Sequence, residues 1–172
     1  MNTQGKFRSS RVLEAKRPPR YSIQMSIQGL FIVHISFSIE LKHRCNAPCL
    51  LIATEDRILA LDYVRNSSFT VISNLSHGVV IDVHYNLGYI FWSDATERNI
   101  KRSNMDGTNI AVILNNTDCD GLAVDWHSLR LYWTDLTNDT ISVSDFEGNN
   151  KRIMFSSELD RPTGIVLDVQ EG

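Results

Sequence analysis

The sequence predicts an all-β fold, a partial β-propeller of about three four-stranded antiparallel blades. The first observation is an internal repeat, because the Phe-Trp-Ser-Asp segment at residues 91–94 returns 41 residues later as Tyr-Trp-Thr-Asp at residues 132–135. The second is a Gly-apolar-Asp segment that begins at Gly78 and recurs 43 residues apart at Gly121 and Gly164. Short apolar runs separated by turn-forming residues, with a period of about 40, are typical of propeller blades.

The two complete copies divide into four predicted strands each. Side chains alternate between the two faces of a strand, so Trp133 and Asp135 are expected on one face of the blade and Tyr132 and Thr134 on the other. Large aromatic side chains suit the space between neighbouring blades. Counted from Gly121, the predicted strands of the second copy are 121–126, 130–135, 140–145 and 151–155.

A weaker copy precedes these two and lacks the tryptophan. Residues 50–54 and 58–62 form its apolar runs, in which Ile58 and Asp62 keep the spacing of the later copies. The predicted propeller segment, residues 45–172, therefore contains a degenerate first blade at 50–88 and repeats at 89–130 and 131–172.

The first 44 residues are predicted to be a basic leader outside the propeller. They hold eight of the 17 Lys and Arg residues but only two of the 20 Asp and Glu residues. The apolar stretch at residues 27–39 is shorter than the about 20 residues that span a bilayer. A basic head before such a stretch is typical of a secretory signal, with Ser36 and Ser38 at candidate cleavage positions. The alternatives are that the leader is disordered or that its sequence is incorrectly predicted.

Four Asn-x-Ser/Thr sequons, all in predicted turns, support the secretory interpretation. They are Asn66, Asn74, Asn115 and Asn138. In an oxidising compartment either Cys45 or Cys49 is expected to bridge to Cys119, which leaves one thiol over. The histidines are scattered without ligand spacing, so neither a metal site nor a cofactor is predicted.

The repeated residues resemble the YWTD propeller, the class B repeat of the low-density lipoprotein receptor family. The opening blade is similar to the amino-terminal propeller of the Wnt co-receptor type of receptor-related protein. The resemblance implies a ring of six blades, so the chain looks truncated, with further blades and an EGF-like module absent. It also implies that Asp94 and Asp135 accept hydrogen bonds from an adjoining blade. The residues predicted to build the repeat are Trp92, Asp94, Trp133, Asp135, Gly78, Gly121 and Gly164.

The predicted strand order sorts the loops into two sides, and one side is acidic. An acidic rim attracts basic ligands, although acidic residues are also common in any exposed turn. Three sequons fall on this side, so either they are unoccupied or the binding surface is displaced. The predicted ligand-binding face consists of Glu55, Asp56, Arg57, Glu97, Arg98, Asp139, Asp160 and Arg161.

The resemblance implies that this face binds secreted proteins, namely Wnt ligands or antagonists that bear an Asn-x-Ile peptide. The full-length parent is expected in the secretory pathway and at the cell surface. The truncated chain is expected to be either secreted or retained. The alternatives are a nidogen-like matrix module, a non-functional truncated product, or a propeller hydrolase. A hydrolase is disfavoured because the strands nearest the axis are apolar, so we predict no catalytic residue, no enzymatic activity and no nucleic-acid partner.

Overall fold

The structure, a computed structural model, describes residues 21–27, 30–36, 49–62 and 64–168. These residues form thirteen strands in three antiparallel sheets, which we call blades 1, 2 and 3 in chain order. The predicted all-β, partial propeller is thereby confirmed. No helix with the length and apolar character needed to cross a membrane occurs in these ranges. The basic head, Ser38 and Cys45 lie outside the described residues.

Blades 2 and 3 have the same strand order and nearly the same register. Trp92 lies opposite Lys101 across the second and third strands of blade 2, as Trp133 lies opposite Ser142 in blade 3. Blade 2 contains β6 (Gly78–His84), β7 (Tyr89–Asp94), β8 (Asn99–Asn104) and β9 (Ala111–Asn115). Blade 3 contains β10 (Gly121–Asp125), β11 (Arg130–Asp135), β12 (Thr140–Asp145) and β13 (Arg152–Phe155).

Blade 1 has five strands, two of which come from the predicted leader. These are β1 (Tyr21–Ile27) and β2 (Leu30–Ser36), followed by β3 (Cys49–Ala53), β4 (Arg57–Asp62) and β5 (Ser67–Ser73). The strand β2 pairs with β3 and also contacts β6, so it takes the inner position that β6 and β10 take in the other blades. Apolar and polar residues alternate through residues 21–27, which favours a strand. The first sheet thus extends into the segment that the sequence assigns to a leader, and the boundary at residue 44 stays a prediction.

The core lies between the blades, in two separate apolar clusters. Trp92 is 1% exposed and belongs to the cluster that includes Leu51 and Ile58 of blade 1. Trp133 is 2% exposed and belongs to the cluster that includes Phe91 and Ile100 of blade 2. Each tryptophan therefore packs in the cluster shared with the preceding blade.

The third Gly-apolar-Asp segment differs from the first two, because residues 164–168 form no strand. The side chain of Val166 is 78% exposed. Strands β6 and β10 each pair with the strand that follows them, whereas no described strand pairs with residues 164–168. A backbone segment without a neighbouring strand has no ladder hydrogen bonds to hold it extended.

The predicted bridge to Cys119 is wrong. Cys49 is disulfide-bonded, whereas Cys119 carries a free, buried thiol. The Cys119 side chain belongs to the core between blades 2 and 3, where its sulfur donates to the carbonyl oxygen of Gly121 at 3.5 Å. Burial raises the pKa of this thiol above its usual range. Packing inside the core therefore keeps Cys119 away from the partner that the sequence suggested.

Candidate ligand-binding face

The loops that follow β3, β5, β7, β9, β11 and β13 lie together on one side of the molecule, which we call the acidic face. Backbone hydrogen bonds join them into a row, for example from Leu75 N–H to the Asp56 carbonyl and from Thr117 N–H to the Arg98 carbonyl, at 2.9 and 2.8 Å. The grouping of loops agrees with the predicted sorting. The charged residues of the acidic face are Glu55, Asp56, Arg57, Glu97, Arg98, Asp118, Asp120, Asp139, Glu158, Asp160 and Arg161.

At blade 1, one acidic residue of the face is paired and one is not. The Arg57 guanidinium forms an ion pair with the Asp56 carboxylate, and both side chains are about half exposed. The hydrogen bond from Arg57, with a second one from Thr54, lowers the pKa of Asp56 to about 2. Glu55 is exposed and makes no ion pair with any described residue. The charge at this end of the face therefore comes from Glu55.

At blade 2, both predicted charged residues are held by neighbours. Lys101 Nζ lies 2.6 Å from a Glu97 carboxylate oxygen, and this contact, with a hydrogen bond from Asn99, lowers the pKa of Glu97. Arg98 donates two hydrogen bonds to Asp118, at 2.8 and 2.9 Å. Asp118, which was not among the predicted site residues, thus ties the connection into blade 3 to the turn of blade 2.

At blade 3, two acidic residues bind backbone groups rather than cations, and two others are exposed. Asp120 accepts a hydrogen bond from Leu136 N–H at 2.9 Å, and its burial raises the pKa of its carboxyl. Asp139 accepts one from Arg161 N–H at 2.8 Å. Glu158 and Asp160 are exposed. Five carboxylates of the face, those of Glu55, Asp120, Asp139, Glu158 and Asp160, pair with no cation among the described residues, and Arg161 is the one cation of the set that is likewise unpaired.

The repeated aspartates Asp94 and Asp135 hold the turns that present this face. Asp94 accepts hydrogen bonds from the backbone N–H groups of the two residues at 96 and 97, and Asp135 does the same for 137 and 138. Each turn then needs a left-handed residue, with φ of 50° at Arg98 and 52° at Asp139. The carboxylates therefore fix the tight turns between the second and third strands.

Among the described residues, a hydrogen bond from outside the blade reaches Asp94 but not Asp135. Asp94 also accepts from Ser76 N–H, in the connection between blades 1 and 2, at 2.9 Å. In blade 3 the side-chain amide of Asn138 occupies that carboxylate oxygen of Asp135, at 2.7 Å. The equivalent of Asn138 in blade 2 is Glu97, which cannot donate. The expected bond from an adjoining blade is therefore replaced at Asp135 by a local one.

Asp82 on the inner strand β6 bridges blades 2 and 3, a role that sequence reasoning missed. One carboxylate oxygen accepts from Val124 N–H of β10 at 2.8 Å, and the other accepts from its own neighbour, Val83 N–H, also at 2.8 Å. Burial raises the pKa of Asp82 to about 6. The signal was present, because the aspartate recurs at Asp125 and Asp168.

The three repeat glycines have different surroundings. A Cβ atom on Gly121 would lie 1.9 Å from the carbonyl oxygen of Thr163, and one on Gly78 would lie 2.7 Å from that of Thr54. No atom of a described residue lies within 4 Å of the same position on Gly164. Close backbone approach therefore requires glycine at the first two positions.

All four sequon asparagines are exposed. Asn66 lies in the turn between β4 and β5, away from the acidic face. Asn74 and Asn115 lie where outer strands lead into connections, and Asn138 lies within a turn of the acidic face. Glycosylation of each stays a prediction. Among residues 49–62 and 64–168 no group of three or more His, Cys, Asp or Glu side chains is arranged to hold a metal ion.

The matching family model is that of the low-density lipoprotein receptor repeat class B, at residues 88–126 and 130–169. The chain is 38% identical over 132 residues to mouse low-density lipoprotein receptor-related protein 5, which covers 73% of the chain and 8% of that relative. It is 32% identical over 81 residues to human low-density lipoprotein receptor-related protein 4, covering 46% of the chain and 4% of the relative. The chain thus spans less than a tenth of the length of these curated relatives.

A solved structure of similar fold is the crystal structure of a nidogen/laminin complex. The similarity has a TM-score of 0.64 at 27% sequence identity and covers 70% of this chain and 48% of the matched chain. An auxiliary nutrient-binding protein from Bacteroides thetaiotaomicron gives a TM-score of 0.58 at 16% identity over 74% of this chain and 31% of that one, a likeness of fold alone.

Proposed function

Because residues 88–126 and 130–169 belong to the low-density lipoprotein receptor class B repeat family, we propose that the chain is an extracellular, ligand-binding segment of a receptor-related protein. The receptor is of the Wnt co-receptor type, and the protein enters the secretory pathway. Its ligands are secreted Wnt or antagonist proteins. The identity with mouse low-density lipoprotein receptor-related protein 5 supports this assignment. The segment binds and does not catalyse.

The observation that carries the proposal is the unbalanced charge of the acidic face. Asp56, Glu97 and Asp118 are neutralised by cations of the same chain. Glu55 and Asp160 are exposed and have no such partner among the described residues. Unpaired carboxylates on one side of a rigid scaffold attract a basic ligand at long range and speed its encounter. The face therefore suits a protein or peptide that carries lysine or arginine.

A second candidate is a matrix module of nidogen type. The structural similarity to a chain of the nidogen/laminin complex favours it. In that case the partner is a matrix protein rather than a soluble signalling ligand. The two candidates predict binding to different probes, which allows them to be separated.

Surface plasmon resonance on the full chain tests both candidates. The probes are a basic peptide that contains Asn-x-Ile, the same peptide scrambled, and purified laminin. We expect the Asn-x-Ile peptide to bind, the scrambled peptide to bind more weakly, and the association rate to fall as salt rises. Binding of laminin alone would support the matrix module instead.

Two variants test whether the ligand binds on the acidic face. The double variant Glu55→Gln/Asp160→Asn removes two unpaired charges, and we expect slower association with little change in dissociation. Glu147→Gln, on the opposite side, is the matched control and leaves association unchanged. An equal loss from Glu147→Gln would contradict the assignment of the face.

A further inference from the structure

The four sequons differ in how far the folded chain leaves their reacting groups accessible. N-glycosylation joins the side-chain amide nitrogen of the asparagine to a sugar, and the transferase also recognises the hydroxyl group two residues later. A sequon in a folded protein is therefore a good acceptor only where both groups are free. Burial and hydrogen bonding at these two positions separate the four sequons of this chain.

The sequon at Asn66 presents both groups on a formed turn. Asn66 and Ser68 are exposed, and neither side chain has a hydrogen-bond partner among the described residues. Asn66 has a φ of 51°, a left-handed conformation that asparagine tolerates in a tight turn. Ser68 lies on β5, which is an edge strand of the first sheet. A transferase can therefore reach this sequon without opening the blade.

The amide of Asn138, in contrast, is used by the fold. Its Nδ2 atom donates a hydrogen bond to Asp135 Oδ2 at 2.7 Å, while its backbone N–H donates to Oδ1 at 2.8 Å. Asp135 is 9% exposed, so water competes little for its carboxylate. The nitrogen that a glycan would modify thus helps to hold the turn between β11 and β12. Modification of Asn138 requires this turn to open.

The remaining two sequons are intermediate, because their amides are free among the described residues but their hydroxyls are not. Asn74 and Asn115 are both exposed. Ser76 Oγ donates to a Glu97 carboxylate oxygen at 3.2 Å. Thr117 is 4% exposed, and its hydroxyl donates to the Asn115 carbonyl at 3.0 Å. The hydroxyl that a transferase recognises is therefore bound or buried in each.

We propose that Asn66 is the sequon that the folded chain offers for glycosylation and that Asn138 stays unmodified. In the secretory pathway the sugar donor is an oligosaccharide on a lipid pyrophosphate. The anomeric carbon bonds to Nδ2, the lipid pyrophosphate leaves, and the amide gives up one proton. The proposal rests on the secretory route of the proposed function, whereas the accessibility of the two amides depends on the fold alone.

A glycan at Asn66 leaves the acidic face uncovered. The turn between β4 and β5 lies on the side opposite that face, whereas Asn138 lies in one of the turns that form it. With Asn138 unmodified, the neighbouring carboxylate of Asp139 stays accessible to a basic ligand. A bulky glycan on the opposite side covers the surface that the ligand does not use. The binding surface then need not be displaced from the middle of the acidic face.

Enzymatic glucosylation of the purified, folded chain tests the accessibility directly. The probe is a soluble bacterial transferase that glucosylates Asn-x-Ser/Thr with UDP-glucose, so that UDP leaves as glucose C1 bonds to the amide nitrogen. Synthetic peptides of residues 62–70 and 134–142 give the rate for each sequon without the fold. We expect the fold to slow Asn138 by about tenfold or more relative to its peptide, and Asn66 by much less. Equal slowing, or greater slowing of Asn66, would overturn the proposal.

Secretion of the full chain from insect cells, behind an added signal sequence, tests the same assignment in the pathway. Ser68→Ala and Thr140→Val each remove one sequon and keep its asparagine. We expect Ser68→Ala to lose the mass of one glycan and Thr140→Val to keep the wild-type mass. Loss of mass in Thr140→Val alone would overturn the proposal. If the chain stays bound to no secreted ligand while Asn66 is glycosylated, the proposed function fails and the glycosylation site stands.

Discussion

The contact between blades 2 and 3 contains the same types of charged residue as the acidic face. The charges have different roles in the two regions. Between the blades, the charges are satisfied within the chain, as in Arg102 with Glu147 and Asp82 with the backbone of Val124. On the acidic face, Glu55 and Asp160 are left without a cationic partner among the described residues. A charge that is already paired holds the fold, whereas an unpaired one is available to a ligand.

Apolar residues at equivalent positions of blades 2 and 3 also differ, in how far they are exposed. Leu114 pairs opposite Ile100 in blade 2 and is 6% exposed, whereas Phe155 pairs opposite Ile141 in blade 3 and is 57% exposed. Blade 3 covers the first residue and nothing described covers the second. Burial in this fold is therefore conferred by the neighbouring blade.

The largest effect is expected from an aromatic residue between blades. Trp133→Ala should lower the unfolding free energy by about 3–5 kcal/mol, because the indole is buried and its loss leaves a cavity. Phe155→Ala, an exposed aromatic in the same blade, should change it by no more than about 0.5 kcal/mol. Urea unfolding of both variants measures the difference. Equal losses would mean that the two positions do not differ in burial.

A smaller effect is expected at the glycine between blades. Gly148→Ala introduces a Cβ at 2.1 Å from a carbonyl oxygen in addition to left-handed strain. Gly88 has φ of 68° but nothing within 4 Å, so Gly88→Ala isolates the strain, about 1 kcal/mol. We expect Gly148→Ala to cost about 1–3 kcal/mol more than its control. Similar melting temperatures for the two variants would show that blades 2 and 3 move apart enough to accommodate the added methyl group at little cost.

The bridging carboxyl predicts a pH dependence. The pKa of Asp82 is about 6 in the folded chain, whereas an aspartate in an unfolded chain titrates near a pKa of about 3.9. As the pH falls, Asp82 is therefore protonated in the folded state at a higher pH than in the unfolded state. Its contribution to the unfolding free energy grows as the pH falls from about 7 towards about 4.

Unfolding of the wild type and of Asp82→Asn at several pH values isolates this contribution. As the pH falls, the unfolding free energy of the wild type should rise relative to that of the variant. The rise is at most about 1.4 kcal/mol per pH unit for one proton. Parallel pH profiles for the two proteins would contradict the buried bridging carboxyl.

Much of the fold could be predicted from the sequence, because the repeat fixes strand spacing and the side on which each loop emerges. Trp92 and Trp133 were recognisable for the same reason. The pairing of β1 and β2 with blade 1 was hidden, since basic residues before a short apolar stretch also resemble a secretory signal. The free thiol of Cys119 depends on packing, which the count of cysteines does not report.

The candidate site was predictable in composition but not in pairing. Acidic loops are visible in the sequence, yet it does not show that Lys101 engages Glu97 or that Asp118 engages Arg98. Lys101 lies on the strand β8 that follows the turn of Glu97, and Asp118 lies in the connection that follows β9, so each pair meets only when the strands and loops of blade 2 fold together. The distinction between paired and unpaired carboxylates therefore needed three-dimensional structure.

One measurement tests the division of charges most directly: the unfolding free energy and the ligand association rate, determined together for two charge variants. Glu55→Lys/Asp160→Lys changes exposed, unpaired carboxylates, so we predict slower association with the basic Asn-x-Ile peptide and stability within about 0.5 kcal/mol of wild type. Glu147→Lys breaks the contact with Arg102, so we predict lower stability and unchanged association. If Glu147→Lys slows association as much as the double variant, or if the double variant alone destabilises the fold, paired and unpaired charges do not have the separate roles assigned to them.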